Sequence, residues 1–220
     1  MKTMKVKNIT KDYGHQRGVF DLSFNVEAGE VMGFLGPNGA GKTTTIRTLM
    51  GFIQPDRGRV SIKGHDCFRN AAQIQKDVGY LPGEIAFMDD MDGMEFIKFI
   101  AAMKKMSNLR KAQELLDYFE LEPKGRIKKM SKGMKQKIGL VCALMNEPEI
   151  LILDEPTSGL DPLMQKKFID KIKEEKQKGT TILMSSHLFE EVEQTCDRVV
   201  IIKEGRQIAV EKMDVLNQNH

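Results

Sequence analysis

The sequence predicts an α/β fold: a mostly parallel sheet covered by helices on both faces, preceded by a small antiparallel β portion and interrupted by a helical insertion. Three observations lead there. The apolar stretch Val31 to Leu35 runs into a glycine-rich loop and then a helical pattern, the order of a strand feeding a loop at a helix start. The later strands, Ile150 to Leu153, Thr180 to Met184 and Arg198 to Ile202, are continuous apolar runs rather than alternating ones, as expected where helices bury both faces of a parallel sheet. From about residue 88 to 130 apolar residues recur at helical spacing instead.

Taken in order, Lys5 to Ile9 and Val19 to Val26 read as strands, the second with roughly alternating apolar residues, and Ala28-Gly29-Glu30 as a turn. After Val31 to Leu35 and the glycine loop, Thr43 to Gly51 continues as a helix, Pro55 to Gly58 turns and Arg59 to Lys63 returns as a strand. The insertion is marked by Phe96, Ile97, Phe99, Ile100 and Met103, then by Leu115, Leu116, Tyr118, Phe119 and Leu121. Strand–helix alternation then resumes, with helices at Ser131 to Met145, Pro162 to Gln177 and Leu188 to Cys196 between the apolar strands. No repeat, low-complexity tract or linker divides the 220 residues, so residues 1–220 are expected to form one unit with a helical subdomain inserted at about 88–130.

Composition narrows the function classes. The chain has 34 basic and 31 acidic residues, a net charge of +3, three cysteines and no tryptophan. The longest near-apolar run, Ile138 to Met145, has eight residues and contains a glycine, whereas a membrane-spanning helix needs roughly twenty. Met1 to Lys7 leads into no apolar core or cleavage site, so a secretion signal is not expected. Cys67, Cys142 and Cys196 fit neither a metal knuckle nor a redox pair. Together these predict a cytoplasmic protein with reduced thiols. The charge is uneven: Lys124 to Lys137 holds seven basic residues and no acidic one, a pattern that by itself suits a solvated face.

Gly36-Pro37-Asn38-Gly39-Ala40-Gly41-Lys42-Thr43 satisfies G-x-x-x-x-G-K-[ST] after a strand and before a helix. Glycines let the backbone N–H groups form a nest for phosphate oxygens, and the helix start adds its positive end. Lys42 is expected to reach the terminal phosphates, Thr43 to offer its hydroxyl to Mg²⁺ and Thr44 to meet the first phosphate. Asp154 and Glu155 follow the apolar strand Ile150 to Leu153 at its C-terminal end, where open α/β sheets bind ligands. Asp154 is positioned to bind Mg²⁺ and Glu155 to polarise an attacking water, which implies hydrolysis. The core expected is that of a P-loop NTPase (RecA-like), with an N-terminal antiparallel β subdomain and an inserted α-helical subdomain.

Around these motifs nearly the whole chain resembles the ATP-binding cassette of ABC transporters. Lys11-Asp12-Tyr13-Gly14 is similar to the family's adenine-stacking loop, which implies Tyr13 against the base and Val19 as a second contact. Met130-Ser131-Lys132-Gly133-Met134 stands where the family carries its signature, Ser158-Gly159-Leu160-Asp161 resembles the dimer-contacting D-loop, and His187 the switch histidine. Two positions depart from the pattern. Lys132 replaces the first signature glycine, a variant that resembles cassettes of bacterial antibiotic and peptide exporters, including the bacitracin-resistance type. In Val78-Gly79-Tyr80-Leu81-Pro82-Gly83-Glu84, Gly83 occupies the slot of the family's metal- and water-contacting glutamine, with Glu84 beside it as a substitute metal ligand.

The resemblance implies that two copies sandwich two MgATP head to tail, each loop facing Ser131 and Gly133 of the other copy, with the basic run beside that contact. It implies a separate membrane permease, contacted by a short helix near Phe87 to Met91 and by the insertion, and a location at the inner face of the cell membrane through that permease. No nucleic-acid partner is expected. A cassette ATPase of ribosome or DNA work, and a GTPase or small-molecule kinase, are the competing classes. No Asn-Lys-x-Asp guanine-reading motif occurs, and the first class usually carries two cassettes or long coiled coils.

Overall fold

The computed structural model describes residues 1–88 and 90–218. In its first part β1 (Lys2–Gly14), β2 (Arg17–Glu27) and β3 (Val31–Leu35) precede α1 (Lys42–Leu49), followed by β4 (Arg57–Ile62), β5 (His65–Asp66), α2 (Ala71–Asp77) and β6 (Val78–Leu81). The middle contains α3 (Gly93–Met103), α4 (Arg110–Tyr118), a 3₁₀ turn (Ile127–Lys129) and α5 (Lys132–Leu144). The last part alternates: β7 (Ile150–Asp154), α6 (Pro162–Gln177), β8 (Thr181–Ser186), α7 (Phe189–Thr195), β9 (Arg198–Lys203), β10 (Arg206–Lys212) and α8 (Met213–Asn217).

Two sheets result. The first is four-stranded and antiparallel, in the order β2-β1-β4-β5, and the second is six-stranded, in the order β10-β9-β3-β8-β7-β6. In the second sheet every neighbouring pair is parallel except β10 with β9. The apolar runs of the sequence are explained by this sheet. Ile150 and Ile152 of β7 enter the core shared with the antiparallel sheet and α1, while Leu151 and Leu153 enter the core shared with the helical region. Successive side chains leave a strand on opposite faces, and here both faces are covered.

The helical region packs through the residues that marked it. Phe96, Ile97, Leu115, Leu116 and Phe119 are buried, and Asp92 with Glu95 forms a capping box that starts α3. Phe99 and Met103 stay exposed. Tyr118 ties this region to α6, donating its hydroxyl to the Lys167 carbonyl at 2.6 Å, with the Lys171 ammonium 4.3 Å from its ring centre. The short helix expected near Phe87 to Met91 does not form at the described positions there. Residues 87, 88, 90 and 91 are turn or irregular chain, and a Met91 N–H to Met88 carbonyl bond spans the segment; Asp89 lies outside the described residues.

Five elements were not expected from the sequence: the short β5 and α8, and α2, β6 and β10. β6 is read only through its parallel register with β7, Val78 opposite Ile150 and Leu81 opposite Leu153. α2 spans seven residues with a single buried side chain, Ile74, and β10 is a mostly half-exposed edge strand. Each is too short or too polar to announce itself by periodicity.

Candidate active site

The glycine loop leaves the C-terminal edge of the parallel sheet at Leu35, and the Gly36 N–H bonds the Ser186 carbonyl of the neighbouring strand. Gly41 caps α1 at φ 107° in the left-handed region, where a Cβ would come within 2.6 Å of Val19 Cγ1, so only glycine fits there. Lys42 follows as the first residue of α1 and is 5% exposed. Its ammonium folds back over the loop and donates to the Gly36 carbonyl at 2.5 Å and to Glu155 Oε1 at 2.6 Å. Thr43 Oγ1 donates to Asp154 Oδ2 at 2.8 Å.

The two acids follow β7 and diverge. Asp154 ends the strand, 1% exposed, and Ser185 of β8 donates its hydroxyl to Oδ1 at 2.5 Å. Glu155 has φ 49°, a left-handed turn that is costly outside glycine and marks a constrained position. It sends the second carboxylate away from the first: Glu155 Oε1 meets Lys42 and Oε2 lies 2.9 Å from His187 Nδ1. The Glu155 N–H donates to Ser185 Oγ at 2.9 Å, so one serine fixes both acids. Tyr80 packs nearby, its hydroxyl pushed up to about 12 by burial and then by the negative charge of Asp154.

The donor set suits a hard cation that depends on its nucleotide. Among the described residues no group of three or more His, Cys, Asp or Glu gathers to hold a metal. Thr43 and Asp154 offer two oxygens side by side, and Mg²⁺ binds through one or two such groups completed by phosphate oxygens and water. Gly83 lies against Asp154, and a Cβ there would stand 2.9 Å from its Oδ2. Position 83 thus abuts the acid directly. Glu84 is exposed and makes no hydrogen bond or ion pair with Thr43 or Asp154.

A cleft of about 980 Å³ opens beside the loop, lined by Tyr13, Asn38, Gly39, Gly41, Lys42, Thr43, Thr44 and Glu155 together with the 14–20 segment and the β9–β10 turn. Tyr13 presents its ring half-exposed with the Lys11 ammonium 5.6 Å from its centre. Val19 is fully buried under the loop against Gly41, while its neighbour Phe20 forms the wall, with the Arg206 guanidinium 5.1 Å from its ring centre. Ala40 is buried behind the loop; its N–H bonds the Pro37 carbonyl, and its carbonyl accepts from the Gly205 N–H at 2.8 Å. The β9–β10 turn is thereby fastened to the phosphate loop.

Ser131 caps α5, accepting from the Met134 N–H at 3.2 Å. Lys132 is exposed, and Gly133 packs so closely on the Gly159 carbonyl that a Cβ would lie 2.7 Å from it. Ser158 and Leu160 form the bend, and Asp161 caps α6 by accepting from the Met164 N–H at 2.9 Å. The 131–134 and 158–161 segments thus pack together through Gly133 and Gly159, and neither Ser131 to Met134 nor Ser158 to Asp161 lines the cleft of the same chain.

Several partners of the site were not read from the sequence. Gln136 donates to the carbonyls of Glu155 and Pro156 at 3.3 and 2.8 Å, joining α5 to the acid turn. Ser185 closes the apolar strand that precedes His187; a hydroxyl at the ligand end of such a strand was its only signal. Phe20 and Arg206 join across 186 positions of sequence and had none.

Comparison with known proteins agrees with this geometry. The chain matches the family described as ABC transporter over residues 19–158. The bacitracin transport ATP-binding protein BcrA of Bacillus licheniformis is 39% identical over 220 residues, spanning 99% of this chain and 72% of that protein. The linearmycin resistance ATP-binding protein LnrL of Bacillus subtilis is 37% identical over 94% of this chain and 68% of its own length. A solved ATP-binding subunit of an ABC transporter, 33% identical, superposes with a TM-score of 0.89 over 99% of this chain and 92% of that one. The chain belongs to the ABC transporter family, as one of its ATP-binding, ATP-hydrolysing subunits.

Proposed function

We propose that residues 1–220 form a single cassette that drives export of a drug, a peptide or a similar compound through a separate membrane permease, and that two copies close on two ATP molecules. The observation that carries the dimer is geometric. The cleft is lined by the phosphate loop, the 12–20 segment, the β9–β10 turn and Glu155, while the 131–134 and 158–161 segments of the same chain lie outside it, so a second copy is the natural source of the missing wall. Among the described residues no helix is long and apolar enough to cross a membrane, which fits a permease in another chain and a place at the inner face of the membrane. The export reading rests on the names of BcrA and LnrL and on Lys132 in the signature.

In the mechanism we infer, the ion pair between Lys42 and Glu155 is the resting arrangement of the cleft. A triphosphate competes for the Lys42 ammonium as a denser anion than a carboxylate, and Glu155 is released to take a water proton. His187, hydrogen-bonded to the same carboxylate, orients it and can donate to the terminal phosphate. Thr43 and Asp154 would hold Mg²⁺, which supplies charge neutralisation on the transferring phosphoryl group. Glu84, next to the Gly83–Asp154 contact, would join only by movement of its loop. Tyr13 stacks on the base, with Val19 supporting the loop from below. In the closed pair, Ser131, Lys132, Gly133 and Met134 of the second copy face the terminal phosphate and Ser158 to Asp161 meet across the interface. Exposed Lys124, Arg126, Lys128, Lys129 and Lys132 add positive charge to the shared anionic site.

The test is Glu155→Gln in size exclusion with and without MgATP. The reading predicts a monomer without nucleotide and a dimer retaining two ATP with it. A monomer under both conditions, with no ATP retained, would overturn the sandwich.

A further inference from the structure

One buried carboxyl group beside the site has no role in the hydrolysis described above. Glu191, on the first turn of α7, is 7% exposed. Its Oε2 accepts from Thr157 Oγ1 at 2.9 Å and lies 3.3 Å from Ser186 Oγ. Its Oε1 is buried with no hydrogen-bond partner among the described residues. Thr157 stands two residues after Glu155 and immediately before the Ser158 turn, and Ser186 immediately precedes His187. Thr157 also accepts at its carbonyl from the Leu160 N–H, and Ser186 Oγ accepts from the Leu188 N–H at 2.9 Å. The carboxyl group therefore bridges the roots of two short loops, one carrying the general base toward the D-loop, the other carrying the switch histidine.

Stability gives no reason for an acid here. Burying a carboxyl group with one oxygen unpartnered is unfavourable, and an apolar side chain would fill the place without that cost. Burial pushes the Glu191 carboxyl above its ordinary range, and the charge of Glu155 adds to the effect. The group is thus a costly contact at the junction of the two loops.

We propose that Glu191 is a positioning residue for hydrolysis, linking Thr157 at the D-loop to Ser186 beside His187, so that a shift of the D-loop on cassette pairing changes the placement of Glu155 and His187 together. The link acts on the chemical step and not on ATP binding, because neither Glu191 nor its partners line the cleft. The inference rests on Glu155 and His187 being the hydrolytic pair.

Glu191→Leu, which removes the acceptor at similar size, and Glu191→Gln, which keeps one acceptor oxygen, are compared with Thr157→Val and with the Glu191→Leu/Thr157→Val double variant for kcat and KM in ATP hydrolysis. The expected result is a kcat at least about tenfold lower for Glu191→Leu with KM for ATP within about twofold of the parent, and recovery to within about threefold in Glu191→Gln. The double variant is expected to lose no more than the worse single one, as for two ends of one link. An unchanged kcat in Glu191→Leu, a loss confined to KM, or a Glu191→Gln as impaired as Glu191→Leu would overturn the proposal. Should Glu191→Leu not fold, Thr157→Val carries the same prediction from the other end. Glu155→Gln, run alongside, separates the two claims: if it hydrolyses ATP normally the base assignment fails, whatever Glu191 does.

Discussion

At position 155 a left-handed backbone turn, φ 49°, lets two consecutive acids serve different partners. Asp154 stays with Thr43 and Ser185, and Glu155 faces Lys42 and His187. Replacing Glu155 by Gln removes the proton acceptor and keeps the shape, so phosphate release should fall by about 10²–10⁴-fold while ATP binding, read by equilibrium dialysis, persists. Gly83→Ala tests the metal side. Its methyl would stand 2.9 Å from Asp154 Oδ2, and that carboxylate is already held from both sides. The variant should fold normally by circular dichroism yet lose hydrolysis by roughly tenfold or more, since a small misplacement at the reacting centre is enough for that. The loop and the acid pair were legible in the sequence because each is contiguous and its chemistry is written in residue type. Ser185, Gln136 and Glu191 were not, because their partners Asp154, Glu155 and Thr157 lie 31, 19 and 34 positions away and only the folded sheet brings them together.

Among the elements, α5 and α6 are both capped by a side chain of the segment that leads into them. Ser131 caps α5 and Asp161 caps α6. Ser131→Ala should therefore cost about 1 kcal/mol of stability, visible as a lower Tm, in addition to any effect on hydrolysis; if Tm does not move, the cap contributes nothing. The helical region is held to α6 through Tyr118, whose hydroxyl reaches the Lys167 carbonyl. Tyr118→Phe should cost about 1 kcal/mol and raise amide exchange in α3 and α4 before it does so in the parallel sheet. The long apolar strands were legible as continuous apolar runs and the helices of the second half from the alternation around them. β6 was not: with Gly79 and Tyr80 in a four-residue run, its identity depends on lying against β7. β10, bearing Arg206, Glu211 and Lys212 on a sheet edge, has the polar character that keeps edges from pairing further and hides a strand from hydropathy.

Across the molecule, two cores on opposite faces of one sheet enclose all three cysteines. Burial pushes the thiols of Cys67, Cys142 and Cys196 up to about 12, so the folded protein should resist iodoacetamide at pH 8 and take up three labels once denatured. Rapid labelling of the native chain would show that one of these faces opens. The same architecture leaves the cleft bounded by one chain on the phosphate-loop side, with the Ser131–Asp161 surface outside it. If hydrolysis requires two chains around one ATP, specific ATPase activity measured at saturating MgATP depends on protein concentration. Activity per chain should rise with concentration toward a plateau, with dependence on ATP steeper than hyperbolic below it; activity per chain that stays flat down to dilutions where only monomer remains would show that one chain suffices.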